Sequence, residues 1–550
     1  MTIVTDRRSA NSARLRFRKP PWHDAHPAKL DIEKRLGPDH LARTFESAVD
    51  HLDIGALYAT YGNTGSEAHR PERLLAVILY EIHRGRHKPA QWYLDARECE
   101  PVRWLLGGSM VARSCWYAFR DRVAPLLLDF HRQVLAQAQD AGLTPAMRAA
   151  DDGTLVAANA SRHKVVNLAT LEKRSLVLTA AMAGDQQPVA ASPAVSPVSA
   201  PTVPAAALAA TAVPATVVPP AATAVPATVT LAVAPAPPVW LAVTATGRQQ
   251  QRERLDQARQ RLHELDGKNQ QKWASKRKKA DAIVVSLSDP ETVVGRDKEK
   301  VFRPLYNVQL LADLDSPLIL GYGVFAQQND AGLLGPLLAQ TRQQLGHGLQ
   351  VVLADTAYAG GRDLAEAQRE GVTVYAPVPG DSVTNPKQIP KREFTWLAAE
   401  QTYVCPQGHR LLFEESWQEK RAGGSIKVWR YRCPPAHCQG CPLQTRCTAT
   451  PASGRAVTRQ EHEELIEALR ARMATLEGKA LYRLRGQNVE LANADIKEHR
   501  KLRRFSGRGL MRVRCEVGLI LLSHNLLTVL AAEKKSQYNV LKEAAANPAA

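Results

Sequence analysis

Three acidic residues stand where carboxylates can do metal chemistry. Asp152 lies in the segment AADDGTLVAANAS, Asp355 ends the apolar run LQVVLAD, and Glu490 lies in YRLRGQNVELANADIKEHRK. The first two stand at the ends of predicted strands, and the third lies on a late predicted helix. A pair of divalent ions between such carboxylates activates an attacking oxygen and stabilises a leaving one. The three acids therefore predict a two-metal site for phosphodiester chemistry, with Asp151 as a second candidate for the first ligand.

The overall charge favours the same kind of substrate. The 550-residue chain has 72 Lys and Arg against 54 Asp and Glu, a formal net charge of +18. Such an excess attracts polyanions, chiefly nucleic acid. No apolar leader follows Met1, and the late apolar run VGLILLSHNLLTVLAA carries His524 and Asn525 near its middle. We therefore expect a buried helix rather than a membrane span, and a cytoplasmic, nucleoid-associated protein.

Five of the eight cysteines fall between positions 405 and 447. In a cytoplasmic chain such a group indicates thiols or a metal site rather than a disulfide framework. One CxxC pair and two further cysteines can form a tetrahedral thiolate site for one structural Zn²⁺, with reduced, unliganded thiols as the alternative. The predicted zinc ligands are Cys405, Cys438, Cys441 and Cys447. Spare candidates are Cys433, His409 and His437.

The spacing of apolar residues predicts the helices and strands that position these residues. From about residue 30 to 145 the chain is rich in Leu, Ala and Arg, and RPERLLAVILYEIHRG has apolar positions close to a 3.6-residue period. This region predicts a helical domain, either a helix-turn-helix bundle for DNA or a packing domain without DNA contact. From about residue 145 strands and helices alternate, which predicts a mixed sheet with helices on its faces. Asp152-Gly153 predicts a tight turn between a short strand and a second strand in LVAANA.

A low-complexity segment interrupts this pattern. Residues 186–247 contain no charged residue, have twelve prolines between 188 and 238, and repeat TAVPATV at 211–217 and 223–229. Proline at this density excludes a regular helix or a central strand. We interpret the segment as an extended linker, with an interaction stalk as the alternative, and the charged stretch after it as a helix that rejoins the core.

Taken together, the ordered motifs resemble a known family. The helical amino-terminal portion, DGTLVAANAS, YNVQ, VLADTAYAG, the CxxC segment, YRLRGQNVELANADIK, RRF and SHNLL look like a bacterial insertion-sequence transposase of the DDE class. The resemblance covers roughly residues 40–185 and 250–535 and implies an α/β catalytic core similar to ribonuclease H. That core would have an all-helical amino-terminal domain and a β-rich, Cys-containing insertion between the second Asp and the Glu.

The resemblance also assigns residues. Asp152, directly before Gly, matches the first catalytic Asp, Asp355 the second, and Glu490 the catalytic Glu. The family's Tyr-Arg-Glu-Lys signature maps onto Tyr482, Arg485, Glu490 and Lys497, with one residue more between Arg and Glu than in its best-known versions. Helical periodicity instead favours Arg483, seven residues before Glu490, as the arginine that faces the site. In two departures from the family, Leu305 replaces a frequent Gly, and ELANAD lacks the aromatic that commonly follows the Glu.

Positive charge follows the signature. From Lys497 to Arg514 there are eight Lys and Arg against one Glu, which favours phosphate contacts over a solvated helical face. The residues predicted to contact DNA are Tyr482, Arg483, Arg485, Lys497, Arg500, Lys501, Arg503, Arg504 and Arg508.

The resemblance implies a function for the whole chain. It implies a transposase that uses two Mg²⁺ or Mn²⁺ ions per active site, and a homodimer on paired ends of double-stranded DNA. An inactive or domesticated DNA-binding descendant, and a ribonuclease H-like nuclease that cuts without joining, are the alternatives.

The predicted segments are a basic arm at 1–29, a helical DNA-binding domain at 30–144, a first part of the core at 145–185, the linker at 186–247, a second part of the core at 248–395, the Cys-rich insertion at 396–460, a catalytic helix region at 461–535 and a disordered tail at 536–550.

Overall fold

The computed structural model describes residues 16–62, 66–185, 237–272, 274–380, 388–421 and 424–546. Its chain divides into two compact units, one formed by Met1–Leu168 with Gln260–Ala550 and the other by Ala169–Arg259. Most of the predicted linker at 186–247, the first half of the predicted arm at 1–29 and the end of the predicted tail at 536–550 lie outside the described residues.

Eight helices form the amino-terminal part of the first unit. They are α1 (Pro27–Leu36), α2 (Leu41–Asp50), α3 (Gly55–Tyr58), α4 (Pro71–His83), α5 (Pro89–Glu98), α6 (Glu100–Leu105), α7 (Arg113–Val123) and α8 (Leu127–Asp140). Pro71 begins α4, where a missing N–H costs nothing. Every residue of α4 from Leu74 to Ile82 is buried, so this helix forms core and has no face for a DNA groove. The assignment of the whole region to DNA binding stays a prediction.

The strands form a mixed sheet, a separate antiparallel sheet and one small pair. They are β1 (Arg148–Ala157), β2 (Val165–Val166), β3 (Val285–Ser286), β4 (Val293–Arg296), β5 (Phe302–Asp313), β6 (Ile319–Phe325), β7 (Val351–Leu353), β8 (Thr373–Tyr375), β9 (Thr395–Leu397), β10 (Thr402–Val404), β11 (Arg410–Arg421), β12 (Gly424–Arg432) and β13 (Ala456–Gln460). The mixed sheet has the order β4-β5-β1-β7-β8, with β6 also paired to β5. Strand β1 is antiparallel to β5 and parallel to β7. The α/β core with a mixed sheet and flanking helices is therefore confirmed.

One local prediction was wrong. Strand β1 runs without interruption through Asp152 and Gly153, which pair with Leu310 and Gln309 of β5, so there is no turn at this point. The physical reason is close packing: a Cβ on Gly153 would lie 2.7 Å from Asp330 Oδ1. Glycine is present here because a neighbouring side chain occupies the space, whereas a turn would have needed its conformational freedom.

The remaining helices are α9 (Leu168–Asp185), α10 (Ala245–Gln270), α11 (Leu334–Leu345), α12 (Gly361–Arg369), α13 (Pro435–Cys438), α14 (Gln444–Cys447), α15 (Glu463–Ala474), α16 (Leu476–Ala494) and α17 (Leu510–Ala546). Helix α16 continues into a π-helical turn at Asp495–His499. Within the described residues α17 is the one helix long and apolar enough to cross a membrane, from Leu510 to Asn539, but 72% of its most apolar window is buried inside the protein. It therefore serves as a core helix, as its sequence predicted.

The Ala169–Arg259 unit contains most of α9 and the first part of α10. Leu178 and Leu255 are buried in it, Arg248 forms an ion pair with Asp185, and Arg259 Nη2 donates to Ser175 Oγ over 2.8 Å. The sequence had placed residues 145–185 and 248–395 in the core, whereas α9 and much of α10 lie in this separate unit.

Candidate active site

Strand register brings two of the three predicted acids together. Strands β1 and β7 are parallel neighbours with Ala150 opposite Leu353, so the residues two positions further along are Asp152 and Asp355. The two carboxylates are close enough to interact, because the charge of Asp355 contributes to raising the pKa of Asp152. Asp355 also fixes its own backbone, since its Oδ1 accepts from the N–H of Ala357 at 2.5 Å.

Helix α16 binds the Asp152 carboxylate through two side chains. Arg485 Nη2 donates to Asp152 Oδ1 over 3.0 Å, and Asn493 Nδ2 donates to Asp152 Oδ2 over 2.6 Å. Arg485 also donates to the main-chain oxygen of Asp151. Between these contacts Val489 is buried, so one face of α16 lies against β1. Burial raises the pKa of Asp152 above its ordinary value, and the Arg485 charge opposes this rise.

Two further signature residues lie at this centre. Burial raises the pKa of Tyr482, Arg485 opposes that rise, and the charge of Asp355 adds to it. Burial and the nearby charge of Lys298 lower the pKa of Lys497, while Asp152 acts in the opposite direction. Arg485 thus contacts Asp152, and Tyr482 and Lys497 lie close enough to interact with its charge. Lys298 was missed from the sequence because nothing in its own segment marks it; only the fold brings it close.

The structure does not bring Glu490 and Arg483 to the aspartates. Both side chains are exposed on α16, and Glu490 lies one turn before the buried Asn493. Of the two candidate arginines, Arg485 is therefore the one that contacts Asp152. In the described part of the chain no three His, Cys, Asp or Glu side chains are spaced to hold a metal ion. The donor set of Asp152 and Asp355 suits a hard divalent cation, but in this arrangement Glu490 does not complete it.

A polar network supports β1 from its other face. Asn307 Nδ2 and Gln309 Nε2 each donate to Asp330 Oδ1 over 2.6 Å, and Tyr358 Oη donates to Gln309 Oε1 over 2.8 Å. Asp151 is fully buried on this side, and burial raises its pKa well above its ordinary value. Asp151 is thus enclosed on the far face of β1, and Asp152 is the acid of this strand that the α16 side chains contact. The YNVQ motif signalled the two amides, but not their partner Asp330.

The basic segment after α16 has mixed roles. Arg500 is buried and forms an ion pair with Asp495 over 3.1 Å, so it holds the fold and is not available to DNA. Arg504 Nη2 donates to the main-chain oxygen of Ala160 over 3.1 Å, and Arg508 Nε donates to that of Asn159 over 2.9 Å. Arg503 is paired with Glu498, and Lys501 is exposed. Arg504 and Arg508 thus hold the chain just after β1, and their side chains, like those of Arg503 and Lys501, are exposed.

The cysteines gather at one edge of the antiparallel sheet. Its order is β13-β12-β11-β10-β9. Cys433 and Cys438 are buried, and the other three are half-buried. Burial, together with the hydrogen-bonded Cys438 thiol, raises the pKa of Cys433 to about 12, with Cys405 and Cys447 contributing. The N–H of Arg455 donates to Cys438 Sγ over 3.5 Å. Cys433, a spare candidate from the sequence, is thus buried among Cys438, Cys405 and Cys447.

Comparison with known families identifies part of the chain. Residues 404–530 match the family model described as a transposase DDE domain. No curated protein matches the chain. The matched residues include the cysteine segment, Glu490 and the basic segment, whereas Asp152 and Asp355 lie before them. The match supports a DDE-class transposase.

Proposed function

We propose that this chain, as a DDE-class transposase, binds the ends of an insertion sequence, hydrolyses the phosphodiester bond there and joins the freed 3′-hydroxyl to target DNA. The observation that carries the proposal is the meeting of Asp152 and Asp355 on neighbouring parallel strands, with the signature helix bonded to Asp152. A mixed sheet that carries two acids on adjacent strands supports a ribonuclease H-like core. The net charge of +18 supports DNA as the substrate.

Asp152, Asp355 and Glu490 are the proposed ligands for two Mg²⁺ or Mn²⁺ ions. When bound, such ions activate the attacking oxygen and stabilise the leaving one. The aspartates lie ready for this role, whereas Glu490 is exposed on α16 and is assigned by its place in the signature. We propose that it joins the site when DNA is bound.

The cationic side chains around the aspartates have roles of their own. Arg485 holds the Asp152 carboxylate in one orientation, so its lone pairs are fixed before a substrate arrives. Lys497 carries its charge beside Asp152 and can contact a DNA phosphate held there. Farther out, the exposed Lys501 and the partly free guanidinium groups of Arg504 and Arg508 suit sequence-independent phosphate contacts.

A protein that binds DNA without cutting it is the second candidate. It is favoured by one observation, namely that both carboxylate oxygens of Asp152 accept hydrogen bonds from α16 while Glu490 stays outside. A nuclease that cuts without joining would use the same residues and differ only in its products. For either catalytic function we propose a homodimer on paired DNA ends in the cytoplasm, and for the cysteine group one structural zinc ion.

A joining assay separates these functions. A labelled DNA end taken from the gene's own flank is incubated with a target plasmid, Mg²⁺ and either wild type or Asp152→Asn. A transposase gives label covalently joined to the plasmid, a nuclease gives shortened label only, and a binding protein gives a shifted complex with neither product. Joining by wild type that persists in Asp152→Asn would refute the assignment of this centre.

A further inference from the structure

Asn493 is a second point at which α16 holds Asp152, and the family signature does not include it. Its side-chain amide donates from Nδ2 to Asp152 Oδ2 over 2.6 Å. Only 9% of the residue is exposed. It lies in ELANAD, the segment that departs from the family by lacking an aromatic residue.

The other end of this amide has no partner. Within the described chain Asn493 Oδ1 is buried and accepts no hydrogen bond. A buried carbonyl oxygen left unpaired is costly, and such groups in folded proteins usually mark an ion, a water molecule or a functional role. Among the residues that the structure describes, the side-chain amide makes one hydrogen bond, the one to Asp152. A rotation of 180° about the Cβ–Cγ bond of Asn493 would therefore break that hydrogen bond and no other.

Such a rotation exchanges the nitrogen and the oxygen of the amide. It brings Oδ1 to the place that Nδ2 holds now, 2.6 Å from Asp152 Oδ2. Two such oxygens repel unless a cation lies between them, and it is the N–H group of the amide that faces Asp152 here. Neighbouring oxygen ligands of an octahedral Mg²⁺ lie about 2.9 Å apart, given metal–oxygen distances of 2.0–2.1 Å. Asparagine carbonyl oxygens are ordinary ligands for hard divalent cations.

We propose that Asn493 supplies an oxygen ligand to the divalent cation held by Asp152 and Asp355. This inference rests on the function proposed above and adds a ligand to its site. As observed, the amide donates to Asp152 and holds the carboxylate in place. On cation binding the amide turns, and one hydrogen bond is exchanged for one metal–oxygen contact. Asn493 is thus the buried residue of α16 whose contact with Asp152 changes when the cation binds.

Mn²⁺ binding by the full chain tests the proposal without any activity readout. Calorimetric titration compares wild type with Asn493→Ala, Asn493→Asp and Asn488→Ala. Asn488 is the matched control, because it is a half-buried asparagine of the same helix whose amide donates to the main-chain oxygen of Leu484. We expect Asn493→Ala to weaken Mn²⁺ binding by about 10-fold or more. Asn493→Asp should bind Mn²⁺ more tightly than wild type, and Asn488→Ala should bind as wild type does.

The outcomes separate this proposal from the proposed function. If Asn493→Ala binds Mn²⁺ as wild type does while Asp152→Asn binds it weakly, Asn493 is not a ligand and the two-aspartate site stands. If Asp152→Asn also binds as wild type does, the acidic centre itself is wrong. If Asn493→Ala fails to fold, which its thermal unfolding shows, Asn493→Asp decides the question. Binding by Asn493→Asp no tighter than that of wild type overturns the proposal.

Discussion

Two regions of this chain are proposed here to bind metal ions, and they are built in opposite ways. In the first, Asp152 and Asp355 come from distant parts of the sequence and meet because β1 and β7 are neighbouring strands. In the second, the cysteines are close in sequence and lie on loops and short helices at one edge of a smaller sheet.

The two regions also differ in the groups that face the ligands. N–H donors of α16 hold Asp152, and they favour its charged form against the effect of burial. At the cysteines, burial raises the pKa of Cys433, and the neighbouring thiols raise it further. For the metal binding proposed above, the difference means that hydrogen bonds already orient the Asp152 carboxylate, whereas Cys433 would have to lose its proton before it could become a ligand.

The largest expected effect is on the rate of DNA cleavage, which a substitution in the acidic centre should lower and one in the cysteine group should not. Asp355→Asn removes one charged ligand from the acidic centre, so we expect DNA cleavage to slow by about 10²–10³-fold or more. Cys441→Ser changes a half-buried thiol of the other region and should leave the cleavage rate within a factor of about two. Single-turnover cleavage of end-containing DNA measures both rates. Equal losses in the two variants would mean that the regions act as one site.

The contacts made by α16 can be tested by a matched pair of arginines. Arg485 contacts Asp152, whereas Arg483 is exposed two positions before it. We expect Arg485→Ala to lower the cleavage rate by about 10–100-fold, because the carboxylate loses a group that orients it. Arg483→Ala should change the rate far less. A larger loss in Arg483→Ala would favour the orientation of α16 that periodicity predicted and would contradict the observed contact.

A pair of cysteines sharpens the account of the second region. Cys433 is 2% exposed, so Cys433→Ser buries a hydroxyl, and we expect the free energy of unfolding to fall by about 1–3 kcal/mol. Cys441→Ser should change it by about 0.5 kcal/mol or less. Urea denaturation measures both values, and elemental analysis gives the zinc content of each variant. Loss of zinc in Cys441→Ser with zinc retained in Cys433→Ser would support the ligand set predicted from the sequence.

The smallest effect is a pH-dependent change in stability. Burial raises the pKa of Asp152 above 3.8, so the folded protein holds this proton more tightly than the unfolded chain does. Ionisation of Asp152 therefore costs stability as pH rises above 3.8, and the whole cost is present once pH exceeds the folded pKa. We expect Asp152→Asn to have a higher Tm than wild type at pH 8, and the difference to shrink toward pH 4. A Tm of Asp152→Asn below that of wild type at pH 8 would show that Arg485 and Asn493 outweigh burial.

Much of the core followed from the sequence because its signals were local. Alternation of strands and helices predicted the mixed sheet, and the position of Asp355 after an apolar run predicted an acid at the end of a strand. The burial of α17 also followed from its two central polar residues. Each of these features depends on the pattern of apolar and polar residues within a short segment, so the sequence of that segment is enough to predict it.

The rest depended on contacts between distant segments. The Asp-Gly pair predicts a turn in isolation, but Gly153 lies within β1 because Asp330 packs against it. Burial of Asn493 and the choice between two arginines of α16 depend on which face of this helix meets the sheet, and one residue of helical rotation would change both. Burial of Arg500 depends on its contacts with Asp495 and with His83 of α4. Lys298 reaches the site only through the fold, so periodicity does not predict it.

The central claim is that Asp152, Asp355 and α16 form one centre for phosphodiester chemistry, with Glu490 as its third acid. The most direct measurement is Mg²⁺-dependent cleavage of a plasmid that carries the gene's own flanking DNA, with wild type and Glu490→Gln compared under the same conditions. The account predicts products that end at the element boundary with wild type and none with Glu490→Gln. Equal cleavage by both proteins would contradict the role of Glu490, and wild type that binds the flanks without cutting them would contradict the claim of catalysis.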